Sequence, residues 1–241
     1  MSRVRGLSVA VLVLALVATA CGSSGNNSSD NGGGSGQPDL VADKRAALQA
    51  VLRAGDLSDY KANLHSTGSE IPTAVKRNFA QCMGTPTTVF DTVPRAQTAD
   101  SPDFSKGRQN EQQVTSSVEI DPTRADTDAG WNSFASKKTE GCLAQLFRDF
   151  LSGPVVKQFK LGPVQVTPFT VGVGDRSTGY AMSRSATGPV QTIQIDVDVI
   201  YAVRDRAGME FHFFNYGTTP DREAEKQLVQ KVYDRIGNKA A

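Results

Sequence analysis

Two histidines and three cysteines in 241 residues leave little material for a metal centre or for histidine-dependent catalysis. The chain has no C-x-x-C, no H-E-x-x-H, no G-x-S-x-G and no phosphate-binding P-loop. Zincin, α/β-hydrolase and P-loop chemistry therefore lack their usual sequence forms. Neither sign of charge dominates: 26 Lys and Arg stand against 25 Asp and Glu. Such a balance offers no basic footprint for nucleic acid or for an anionic surface. No apolar run reaches the ~20 residues that a membrane-spanning helix requires. What remains is ordinary globular composition, 39% hydrophobic and 21% charged.

The N-terminus is organised as an address. Residues 1–6 carry Arg3 and Arg5, Leu7 to Ala20 form a short, mostly apolar run, and Ala18-Thr19-Ala20 precede Cys21. A positive start, a short apolar centre and small residues before the cut predict a secretory signal over 1–20. Cleavage after an A-x-A site would suffice for plain secretion. A cysteine at the junction instead predicts an acyl anchor on Cys21, as in a bacterial lipobox. Residues 22–38, "GSSGNNSSDNGGGSGQP", contain nothing that can bury surface. They read as a flexible tether spanning roughly 20–25 Å. Removing the signal takes the formal charge from +1 to −1. Residues 39–241 are then one globular domain, large enough to bury a core.

Within it, Leu40 to Ala54 predicts a helix, with Val41, Leu48, Val51 and Leu52 on its apolar face and Gly55 at its end. Ile71 to Met83 predicts a second, striped by Ile71, Val75, Phe79, Cys82 and Met83. Thr87 to Val93 reads as a short strand, and 95–110 as polar and irregular. "QVTSSVEI", 113–120, alternates with period two. Asp121-Pro122 reads as the start of a weak helix, and Cys142, Leu143, Leu146, Phe147, Phe150 and Leu151 mark a strong one. Strands follow at 164–169, 180–187, 190–204 and 209–216, the last two joined by a hairpin turn at Asp205 to Gly208. Thr219-Pro220 opens a final helix closed by Gly237. Consecutive strands without βαβ alternation predict an α+β fold with an antiparallel sheet. Ile193, Ile195, Val197, Val199, Tyr201 and Val203 line one side of a strand, while Ile200, Phe211 and Phe213 fall on the other. Helices are expected on both faces, an α/β/α sandwich.

Outside the cytoplasm the pair Cys82 and Cys142 reads as a disulfide between two helices, ahead of buried free thiols or a metal or redox pair. His212, in the aromatic stretch "EFHFFNY", faces Tyr201 in simple register. It reads as a base, a ligand contact or a sheet histidine satisfied by a neighbour. With Ile200, Phe211 and Phe213 it makes a candidate apolar pocket; core packing is the plainer account. Asp196 and Asp198 sit two apart on one strand face, as a cation or acid/base pair or as a solvated edge. No other site emerges, and no metal or cofactor is expected.

Several stretches together resemble actinobacterial, mycobacterial-type envelope lipoproteins and, more distantly, the extracellular sensor domain of a mycobacterial kinase: "DLSDYKA", "FAQCMG", "SPDFSKG", "VTSSVEIDP", "EGCLAQLF" and "GTTPDREAEKQLVQKVYDRI". The resemblance implies a PsbP-like sandwich and a binding or sensing role. The expected protein is thus a lipoprotein held by Cys21 at the extracytoplasmic face of the cell membrane. It acts as a ligand-binding, sensing or accessory module, not an enzyme, and its partner is a small apolar ligand or an envelope protein. The alternative is an anchored hydrolase.

Overall fold

The computed structural model describes residues 39–63, 73–84, 97–107, 111–151, 158–174 and 176–237. The expected signal, Cys21, the tether and the strand expected over 87–93 lie outside them. In chain order the described elements are α1 (Leu40–Ala50), β1 (Lys61–Asn63), α2 (Thr73–Met83), β2 (Thr98–Asp100), β3 (Asp103–Lys106), β4 (Gln112–Ile120), α3 (Arg124–Phe134), α4 (Thr139–Phe150), β5 (Lys160–Leu161), β6 (Gln165–Phe169), β7 (Arg176–Thr187), β8 (Thr192–Arg204), β9 (Ala207–Tyr216) and α5 (Arg222–Ile236). The strands form one sheet in the order β1-β3-β4-β9-β8-β7-β5, with β2 also on β4 and β6 also on β7. Every pairing among them is antiparallel. The α+β sandwich is as the strand order implied.

Alternation along the strands sorts the core into two layers. One face carries Val114, Val118, Ile200, Met209, Phe211 and Phe213 and is covered by α1 and α5. The other carries Tyr180, Met182, Ile195, Val197, Val199 and Tyr201 and is covered by α3 and α4, with Val75 and Phe79 of α2 against its margin. On that second face Tyr180 donates its hydroxyl to Phe134 O at 3.1 Å, and Trp131 stacks on Tyr201. Cys82 of α2 is bonded to Cys142 of α4, closing a separation of 60 residues. In the chain-entropy account such a link stabilises by about 4 kcal/mol.

Local expectations change at several places. The first helix stops at Ala50, not at Gly55. Its last carbonyls, on Ala50 and Val51, accept hydrogen bonds from Arg235 of α5, and the Leu52 N–H goes to Ser116 Oγ at 2.9 Å. Tertiary partners thus replace the next helical turn. Its buried face is Asp43, Ala47 and Ala50, whereas Val41 and Leu48 are 68% and 54% exposed. Residues 98–106 are not irregular: β2 and β3 lie end to end on one edge of β4, and Ser101 spans the break by accepting the Ser116 N–H. Strands this short leave no periodic signal. The helix expected from Pro122 begins two residues later. Thr123 and Asp126 form a capping box, and Thr123 Oγ1 accepts the Asp126 N–H at 3.2 Å. The final helix is capped by Asp221, which accepts the Ala224 N–H.

The β8–β9 turn consumes only Asp205 and Arg206, leaving Arg204 opposite Ala207. Gly208 lies in the strand. A side chain there would meet the Tyr201 hydroxyl at 2.4 Å, so the absence of a Cβ is what lets the tyrosine lie across the strand. A turn two residues tighter than expected moves the register by two. His212 therefore stands opposite Val199, and Tyr201 opposite Glu210. Because the slip is even, each side chain keeps its expected face.

Candidate functional site

Two places gather polar chemistry, one on each face of the sheet. The first is centred on His212 in β9. Its Nε2 lies 2.9 Å from Glu210 Oε1, two residues along the same strand, and both side chains are buried. The imidazole reaches the wall of a cavity of about 30 Å³ under α4. The remaining lining is apolar: Leu146, Phe147 and Phe150 from α4, Met182 from β7, Val197 from β8 and Phe214 from β9. By that measure a single water needs ~10–15 Å³, so the space admits the end of an apolar chain and not a whole lipid.

Of the residues expected in a pocket, only His212 lines this one. Ile200, Phe211 and Phe213 are 1%, 0% and 5% exposed and pack on the opposite face beneath α1 and α5. Phe211 and Phe213 stack on each other there. The strand parity that separates them from His212 is visible in the sequence, and it also selects Phe214, which the expected set omitted. Next to His212, β4 contributes Thr115 directly across the strand pair and Glu119 further along. Burial raises the Glu119 carboxyl to about 8, reinforced by the negative charges of Asp121, Glu210 and Asp100. Burial likewise raises Asp121 to about 6. These acids stand on the same face of the sheet as His212 but do not line the cavity, whose wall apart from the imidazole is apolar.

The second place is on the other face, where α5 begins. Asp198 is not on a solvated strand face: it is 1% exposed, while Asp196 is half-buried. Arg222 Nε donates to Asp198 Oδ2 at 3.1 Å. The guanidinium lies over the Phe169 ring, 4.4 Å from its centroid. Phe169 itself is laid across Gly179 on the neighbouring strand, where an added Cβ would come within 2.3 Å of the ring. Glu225, one turn after Arg222, is buried beside Asp198. Sequence alone did not single out Glu225; its signal was an acid spaced three residues from Arg222 on a helix whose inward face also holds Val229 and Val232.

Among the described residues, no group of three or more His, Cys, Asp and Glu side chains is arranged to hold a metal ion. No helix among them is long and apolar enough to cross a membrane. No protein-family model and no curated protein matches this chain. Among solved structures it is similar to the extracellular domain of PknH from Mycobacterium tuberculosis, at 14% identity and a TM-score of 0.35. That likeness covers 56% of this chain and 61% of that one.

Proposed function

We propose that this chain is a lipid-anchored, extracytoplasmic binding module. Cys21 carries the acyl anchor, residues 22–38 hold the body off the membrane, and the cavity at His212 receives the end of a small apolar ligand. The observation that carries the binding role is one imidazole set into an otherwise apolar wall, the pattern by which pockets combine affinity with orientation. The Cys82–Cys142 bond supports the compartment, since disulfides persist outside a reducing cytosol. The N-terminal pattern supports the anchor. Binding is favoured over hydrolysis because the hydrogen-bond partner of His212 is Glu210, not a serine or cysteine nucleophile.

Native mass spectrometry of the protein purified from its own membrane tests both halves. The expected result is acyl mass on the N-terminal cysteine together with a small apolar adduct, the adduct being lost in Leu146→Phe, which narrows the cavity. A Cys21→Ser variant should leave the membrane fraction. Persistence of that variant in the membrane would overturn the anchor; wild-type protein with no adduct would overturn the ligand.

A further inference from the structure

Asp198 and Glu225 join the centre of the sheet to the first turns of α5, and both are at least nine-tenths buried, at 1% and 5% exposed. Arg222 serves Asp198 Oδ2. Among the described residues Asp198 Oδ1 and Glu225 Oε2 have no hydrogen-bond donor, although the two carboxyl groups lie within hydrogen-bond reach of each other. Two ionised carboxylates buried in contact repel each other and forfeit hydration. One hydrogen shared between the two groups removes one charge and supplies a donor where the pair otherwise has acceptors alone.

We propose that Glu225 keeps its proton at neutral pH and donates it to Asp198, so that one shared hydrogen fastens α5 to the sheet and makes closure of this face proton-dependent. The inference is independent of what fills the cavity at His212.

The surroundings favour a proton. Asp196 lies two residues along β8 and accepts from Gln194; Asp221 caps α5; the Tyr60 phenol approaches from the segment before β1. The neighbouring strands contribute Ala181 and Phe213 opposite Asp198. Among the described residues, Arg222 is the cation that acts on this pair, and Lys106 lies beyond it over the Tyr60 ring. Burial, with the adjacent Asp198 charge, raises the Glu225 carboxyl to about 9. Burial also raises Asp198, against the lowering effect of Arg222.

The sign follows from linkage. A carboxyl group held above its unfolded value of 4.5 contributes stability that is fully present below that pH. The contribution is lost progressively as pH rises toward 9, because the unfolded chain has released a proton that the folded chain retains. Over that interval one retained proton changes the unfolding equilibrium constant about tenfold per pH unit. Glu225→Gln supplies the same donor permanently and removes the linkage.

The experiment is urea unfolding of the full-length protein at pH 6, 7 and 8, wild type against Glu225→Gln, in EDTA and again with added calcium chloride. The ratio of unfolding constants, wild type to variant, should rise about tenfold per pH unit, with calcium making no difference. Infrared difference spectra at pH 7 should show a protonated carboxyl band in the wild type that the variant lacks. A ratio independent of pH, or a wild type without that band, overturns the shared proton. So does calcium restoring wild-type stability at pH 8, which would identify a cation between the carboxylates instead. Should Glu225→Gln fail to fold, Asp198→Asn places the amide donor on the other partner and is read by the same ratio and the same band.

Discussion

The two faces of the sheet are closed by different means. Over β7 and β8, α3 and α4 bring Phe134, Leu143, Leu146 and Phe147 into a layer rich in aromatic and aliphatic contact, and α2 is tied to α4 by a covalent bond. Over β4 and β9, α1 offers mainly Ala47 and Ala50, and much of the fastening is polar. Asp43 of α1 is paired through both carboxylate oxygens with Arg206 in the β8–β9 turn, at 3.0 and 3.1 Å. Arg235 of α5 binds the end of α1 and also pairs with Asp56. Asp198, Arg222 and Glu225 hold the start of α5. Small apolar side chains let a helix approach closely but bury little area, so direction and register come from charge-assisted hydrogen bonds. The polar fastening of α1 and α5 depends on pH and salt, whereas the contacts that α3 and α4 make with the sheet are mainly apolar and depend on them less.

The largest effect that separates the faces is loss of the disulfide. Cys82→Ser with Cys142→Ser should lower unfolding free energy by about 4 kcal/mol, measured in urea, mainly through the unfolded chain. Both faces should remain folded as they are, so near-ultraviolet circular dichroism of the aromatic layer at low urea should be unchanged. A collapse of that signal would mean that the bond holds α2 and α4 in place directly, and the contrast between faces would be weaker than stated. Next is Arg206→Ala. It strands a carboxylate that is 5% exposed, and breaking a buried pair costs about 3–5 kcal/mol. Because the guanidinium is itself one-fifth exposed, about 3 kcal/mol is expected. Repeating the measurement with Asp43→Asn in the same chain should recover part of the loss. No recovery would show that the arginine acts chiefly through its bond to Asp121 O. Arg235→Ala should cost about 2 kcal/mol by removing the donor shared by the carbonyls of Ala50 and Val51 and the Asp56 carboxylate. Hydrogen exchange should then rise first in α1 and leave α4 protected.

The same contrast decides what could be read from the sequence. The apolar layer was legible because its signals are local. Alternation from Ile193 to Val203 and the stripe from Cys142 to Leu151 each lie within one short run of sequence, and Cys82 and Cys142, though 60 residues apart, stand out as an even pair. The polar layer was not. Asp43 is buried because of an arginine 163 positions away, and Asp198 because of one 24 positions on. Nothing within a helical turn or a strand period announces such a partner. The candidate cavity was half legible. His212 was found from its aromatic setting, but grouping it with Phe211 and Phe213 ignored that adjacent residues of a strand point to opposite faces. The short strands β1, β2, β3 and β5 are held by edge pairing to longer neighbours, which local propensity does not encode.

The smallest expected effect tests the reading of α1 directly. Apolar periodicity puts Leu48 in the core, and on that account replacing it by serine would cost as much as other buried leucines, several kcal/mol. In the fold it is 54% exposed, whereas its neighbour Ala47 is 0% exposed. Leu48→Ser should therefore shift the urea midpoint by no more than about 0.5 kcal/mol equivalent, as at other surface positions. Ala47→Leu, which hydrophobic pattern alone would favour, should instead destabilise by about 1–3 kcal/mol by forcing α1 off the sheet. If the two variants exchanged these outcomes, α1 would be rotated about its axis. Asp43 would then no longer face Arg206, and the polar account of this face would lose its first member.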